Sequence, residues 1–297
     1  MWLGLYGLKR SMKLKSCHNA RSDVSVAGWL LAAALTPILA ALPGVSFAAF
    51  DAALSPPRFE LKAKPGDVTR ETVTITNGSR APARFTVKTA DWHIDGNGRL
   101  AFDEGAPQAG SCRPWARIER LEISVPPNGA RTYRFEIHVP KDAKTGSCHL
   151  ALIFAADAGR VAPTGTAQVQ IPIVGRVAAI VYVTIGDAKP DLRLASLAVR
   201  KIDDKHIPVI DFYNQGNAHG RVFGALEAKD AAGHIVTLMV QQSAILPKGH
   251  RVLRLTPVDY STGEPKPPTF DLQPPLHVRG KLQFLGGGEV SIDQVVR

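Results

Sequence analysis

Cys112 and Cys148 are the two cysteines of this chain beyond residue 50, and by residue type they offer the most direct chemistry. Neither sits in a CxxC nor beside a paired histidine, so a catalytic thiol or a zinc site lacks its usual spacing. No two of the eight histidines beyond residue 50 stand at ligand spacing either. His138 and His149 fall on the polar phase of their strands, which places them at the surface. The Asp95–Gly98 stretch DGNG opens like a calcium loop but lacks the later acidic ligands, and reads as a hairpin turn. There is no GxSxG elbow, HExxH, P-loop, or GxGxxG opening a helix. The residue types therefore name no catalytic residue, no metal site and no cofactor. Binding is the chemistry left.

The two cysteines acquire a role from the start of the chain. Lys9, Arg10, Lys13, Lys15 and Arg21 precede an apolar run from Ala27 to Leu42, and Ser46-Phe47-Ala48 supplies small residues at −3 and −1. This is the pattern of a secretory signal over residues 1–48, with Met1 or Met12 as the start. The run is short for a membrane span and is interrupted by Pro37. Export implies an oxidising compartment, where Cys112 and Cys148 would join in a disulfide closing a loop of about 35 residues. Cleavage would lower 36 basic and 26 acidic residues to 31 and 25, a formal charge of +6 in place of +10. The excess is spread along the chain, so nothing marks a nucleic-acid stripe.

The elements that position these residues have a period of two. Tyr133, Phe135, Ile137 and Val139 alternate with Arg134, Glu136 and His138, and Val73 and Ile75 alternate within ETVTITNGS. Such alternation puts one face of a strand on a core and the other in water. Short strands divided by Gly and Pro corners predict an all-β chain of two immunoglobulin-like sandwiches in tandem. The first occupies residues 49–187, with strands near 57–63, 70–77, 83–92, 117–125, 131–139, 147–155 and 168–185. The second occupies residues 188–297. The Pro-rich stretch 261–275 reads as a surface loop.

The strand near 168–185 is unusual. Ala167, Val169, Ile171, Ile173, Gly175, Val177, Ala179, Val181, Val183 and Ile185 form one uninterrupted apolar phase. As a transmembrane helix it would bury Arg176, so no membrane span is expected after the leader. Pro172 cannot donate to a ladder and indicates an edge. A long apolar edge is an aggregation hazard unless it serves to pair with an incoming chain. The alternative is simply the last strand of the first sandwich running into the linker.

This architecture resembles the periplasmic pilus and fimbrial assembly chaperones, exported proteins of two immunoglobulin-like domains. The resemblance rests on LSPPRFEL around Arg58 and on the AQVQIPIVGRVAAIVY stretch around Arg176. It implies a periplasmic, non-enzymatic protein that lends its last first-domain strand to an incomplete pilin, with an outer-membrane usher as a further partner. The donor residues would be Ala167, Val169, Ile171 and Ile173. Arg58 and Arg176 would bind the terminal carboxylate of the pilin-like or other secreted β-sandwich subunit. LKAKPGDVTRETVTITNGS and VPKDAKTG also resemble the immunoglobulin domains of WxL-interacting surface proteins. That second likeness implies an envelope-associated structural or adhesion module without chaperone activity.

Overall fold

The computed structural model describes residues 51–94, 99–108, 110–156, 161–164, 169–172, 175–202 and 204–297. Residues 1–50, the Asp95–Gly98 stretch expected to form a turn, Ala167 and Ile173 lie outside the described residues.

The first half runs β1 (Ala52–Ser55), β2 (Arg58–Ala63), β3 (Val68–Asn77), β4 (Ala83–Ile94), β5 (Leu100–Asp103), β6 (Ala116–Ile118), β7 (Glu122–Val125), β8 (Gly129–His138) and β9 (Gly146–Ala156). It continues with β10 (Val161–Thr164), β11 (Val169–Pro172) and β12 (Arg176–Ile185). The second half runs β13 (Leu192–Ile202), β14 (Lys205–Asn214), β15 (Val222–Phe223), β16 (Ala225–Lys229) and β17 (Ile235–Val240). Then come β18 (His250–Val258), β19 (Leu276–Phe284) and β20 (Glu289–Val296). Among the described residues the one helical segment is a single 3₁₀ turn, Arg113–Trp115. The protein is all-β, two immunoglobulin-like sandwiches in tandem.

In the first sandwich one sheet is ordered β1-β3-β8-β6 and the other β2-β12-β9-β4-β5, with β7 paired to β4. The initial strand divides between the two sheets at Pro56 and Pro57, which have no N–H to continue the ladder of β1. Alternate residues then fill the space between the sheets. Tyr133, Phe135 and Ile137 of β8 meet Phe154 of β9 and Val181 of β12, all buried. Phe59 and Phe135 pack edge to face at 5.0 Å, as do Tyr133 and Phe154 at 5.3 Å, the geometry that ring quadrupoles favour.

The second sandwich has its own core, from Leu192 to Val296. Here β18 serves both halves: Val252, Leu253 and Arg254 pair with β14, and Leu255 to Val258 pair with β17. The 261–275 stretch carries no strand, yet it sends Leu272 into this core.

Each sandwich fastens a corner with one buried asparagine. Asn214 donates Nδ2 to the Ala218 and Ile245 carbonyls (2.8 and 2.9 Å), and its Oδ1 accepts from the Asp191 and Gly216 amides (3.1 and 2.9 Å). Asn77 holds Ala81, Val125 and Pro126 in the same manner. Gly216 sits so close to the 189–191 backbone that a Cβ would stand 2.3 Å from the Lys189 carbonyl oxygen. This corner fixes the segment 215–221, which carries the charged residues described below. Asn214→Ala deletes four hydrogen bonds and strands buried carbonyls, an expected loss of about 3 kcal/mol. Urea unfolding checks it: the midpoint should fall with the slope unchanged.

One predicted element is corrected. The stretch 168–185 is two strands, not one. β12 pairs with β9 in the register Arg176↔Ala155, whereas β11 pairs with β10 in the register Val161↔Pro172, a shift of two residues. Ile173 and Val174, between the two strands, lie outside the described residues. Among the described residues no helix is long and apolar enough to cross a membrane.

Candidate functional site

The backbone of β12 has two flanks with different partners. The Ala156 amide donates to the Gly175 carbonyl (2.9 Å), so odd-numbered residues of β12 bond to β9. The Ile180 amide donates instead to the Pro57 carbonyl (3.0 Å), so even-numbered residues face the other flank, where β2 runs parallel from Arg58↔Ile180 to Ala63↔Ile185. β2 therefore closes that flank from Ile180 onward. The expectation of a free edge along the whole ribbon fails there, because the first strand changes sheets after Pro57 and covers it. Before Ile180, the N–H and C=O of Arg176 and Ala178 point toward a flank with no hydrogen-bonded strand among the described residues, although β1, which pairs with β3, comes within 8 Å of β12. β11, just upstream, has one described partner, β10.

The predicted donor residues Val169 and Ile171 stand on β11. The predicted carboxylate pair is not brought together. Arg176 lies four residues before the partner of Arg58, about 13 Å along the strand at the usual rise. Each arginine meets its own glutamate: Arg176 Nη1 lies 2.9 Å from Glu104 Oε1, and Arg58 Nε lies 3.2 Å from Glu60 Oε1.

Glu60 is the centre of a charged cluster at the junction of the sandwiches. It lies on the polar phase of β2 beside Tyr182 of β12. Its Oε1 also accepts from Arg221 Nε (3.0 Å), and its Oε2 meets His219 Nε2 (2.6 Å). His219 and Arg221 belong to the second half of the chain and are 5 % and 3 % exposed. The Tyr182 ring stacks on His219 at 4.3 Å, with the Arg221 guanidinium 5.0 Å from its centre. Burial alone would raise the Glu60 carboxyl. The His219 hydrogen bond and the His219 and Arg221 charges outweigh it and hold the group below its ordinary value, as close cations do for a carboxylate. Arg221 Nη2 and His219 Nδ1 are buried without a hydrogen-bond partner among the described residues. Burial raises the Tyr182 phenol.

Around this cluster an apolar patch joins the halves. Trp92, Ala151, Ile153 and Tyr182 pack with Ala244, and Ala178, Ile180 and Leu246 border them.

The two cysteines meet in the first core as free thiols. Burial, and then the hydrogen bond with Cys148, push the Cys112 thiol up. The loop carrying Cys112 is tied to buried Asp91, which accepts from the Gln108 amide (2.9 Å) and from the Ser111 hydroxyl.

Sequence reasoning passed over Glu60, Tyr182, His219 and Arg221. Its one available hint was Arg221, a bulky cation within the small and apolar run Ala218-His219-Gly220-Arg221-Val222.

No family model matches the chain, and no curated protein does. Solved structures similar to it include the YadV chaperone, at 10% identity over 83% of this chain and 100% of that one, with a TM-score of 0.44. The Pseudomonas aeruginosa CupB2 chaperone is 12% identical over 82% and 100% of the two chains, TM-score 0.41. The Acinetobacter baumannii CsuC–CsuE chaperone–tip adhesion subunit complex gives 11% over 83% and 98%, TM-score 0.41.

Proposed function

We propose that the protein is an exported, chaperone-like binding protein that takes up a segment of a secreted β-sandwich subunit by β-augmentation. The observation that carries this reading is the open flank at Arg176 and Ala178, continuous in sequence with β11. Two outward N–H and C=O pairs offer an incoming strand a ladder, and the Val169 and Ile171 strand extends it. A strand running parallel to β12 would bring its C-terminal end toward Arg58, the cation nearest the end of the open stretch. Arg58 is thus the carboxylate anchor, and Arg176 contributes charge at the opposite end. The periplasm is the compartment this role requires, and the Ser46-Phe47-Ala48 leader the means of reaching it.

Arg176→Pro separates backbone pairing from charge. The Arg176 N–H makes no bond to β9, so proline removes an outward donor while leaving the internal ladder intact. Loss of one ladder bond and the steric block should weaken subunit binding by about ten-fold or more. Arg176→Ala should retain most of it. Quantitative co-purification of the secreted subunit with each tagged variant checks this; retention by Arg176→Pro at the unmutated level sinks the reading.

A further inference from the structure

Away from the open flank, a groove of about 870 Å³ lies between the end of β4 and the β13, β14 and β18 strands of the second sandwich. Arg200, Arg251, Arg254, His93 and His250 line it, and among the described residues no carboxylate does. Elsewhere on the surface several strand arginines face acids across the sheet: Arg70 with Glu136, Arg84 with Glu122, Arg279 with Glu227. Among the described residues no ion pair joins Arg200 or Arg254 to an acid. His250, also on the lining, lies 3.7 Å from Asp211. Burial also holds the Arg251 guanidinium below its ordinary value.

The groove is not only cationic. Ile94, Val209, Leu246 and Val252 form its apolar walls. On β18, Val252 and Arg254 are exposed while Leu253 and Leu255 are buried. Val252 and Arg254 therefore project from the same face, about 6.8 Å apart at the strand repeat. Val209 lies opposite Arg254 across the ladder. An extended polypeptide repeats its own same-side residues at that spacing. We propose that this groove binds an acidic polypeptide segment in extended conformation, with carboxylates and apolar side chains two residues apart on one face. A polysaccharide or polyphosphate would satisfy the arginines but leave the apolar walls unused.

Fluorescence anisotropy with the exported protein tests this, using a labelled decapeptide of repeating Glu-Thr-Val-Thr. Companion peptides replace every Glu with Gln or every Val with Ser, and heparin serves as an apolar-free polyanion. The Glu-Thr-Val-Thr peptide should bind at least about ten-fold more tightly than either companion at roughly 50 mM salt, and more weakly as salt rises. Arg200→Glu with Arg254→Glu should cost about ten-fold or more, and the gentler Arg200→Gln with Arg254→Gln roughly three-fold. Arg131→Glu, at an exposed position of β8, should bind normally. Equal affinity for the Val-to-Ser peptide, full competition by heparin at matched charge, or unchanged binding by both double variants overturns the proposal.

Discussion

Glu60→Gln is expected to destabilise the protein by about 2–4 kcal/mol. The estimate comes from Arg221, a guanidinium that is 3 % exposed and whose described ion pair is with Glu60. Removing one member of a buried pair leaves the other charge uncompensated, typically at 3–5 kcal/mol. The lower end is appropriate because the Glu60 side chain keeps 34 % of its surface in water, where screening reduces the interaction. The pH dependence carries a definite sign. The folded-state carboxyl is depressed, so its contribution is complete above the ordinary carboxylate value and is lost as pH falls through the folded one. Unmutated protein should therefore lose stability in that acid window, and Glu60→Gln should be flatter across it. Urea midpoints at neutral and acid pH check both parts. A Glu60→Gln protein with the unmutated midpoint would remove Glu60 as the tie between the sandwiches.

The second large effect concerns Cys112 and Cys148. Their thiols meet in the core, and a bond between them would close a loop of about 35 residues, worth roughly 3–4 kcal/mol on the chain-entropy model. The raised Cys112 thiol is a poor nucleophile in the folded state, because the thiolate is the reacting species. The pair should therefore oxidise during folding in an oxidising compartment and resist both labelling and reduction afterwards. Protein purified from that compartment should show no reactive thiol under denaturing conditions. Reduction in denaturant should lower its refolded stability by roughly 3–4 kcal/mol. Two labelled thiols, or equal stability of the oxidised and reduced forms, would contradict this.

The architecture was readable because strands half-buried in sandwiches write their periodicity into the chain. The alternation of Tyr133, Phe135 and Ile137 is the burial pattern of β8. The ribbon near 168–185 was misread for a related reason. Its apolar phase continues through Pro172 and Gly175, and hydrophobicity alone does not register a two-residue shift between the β10–β11 and β9–β12 pairings. Nor can it show which flank of a strand another strand occupies. The parallel placement of β2 on β12 joins residues more than a hundred positions apart, and the Glu60–Arg221 contact spans 161 positions. Such meetings are set by topology, and no local window contains them. The spacing of the two arginines was hidden on the same ground: Arg58 and Arg176 share a face, but register, not residue type, fixes the distance between them.

The crossover of the first strand at Pro57 has one more consequence. From Arg58 onward β2 fills the flank that, among the described residues, carries no hydrogen-bonded strand beside Arg176 and Ala178. A polypeptide aligned there in the sheet plane collides with this occupant after a few residues. The middle of a long chain would have to bend out of the plane to continue, forfeiting its bonds, whereas a chain that ends at that point simply stops. Sterics alone thus favour a terminus over an internal stretch for any strand that pairs at that flank.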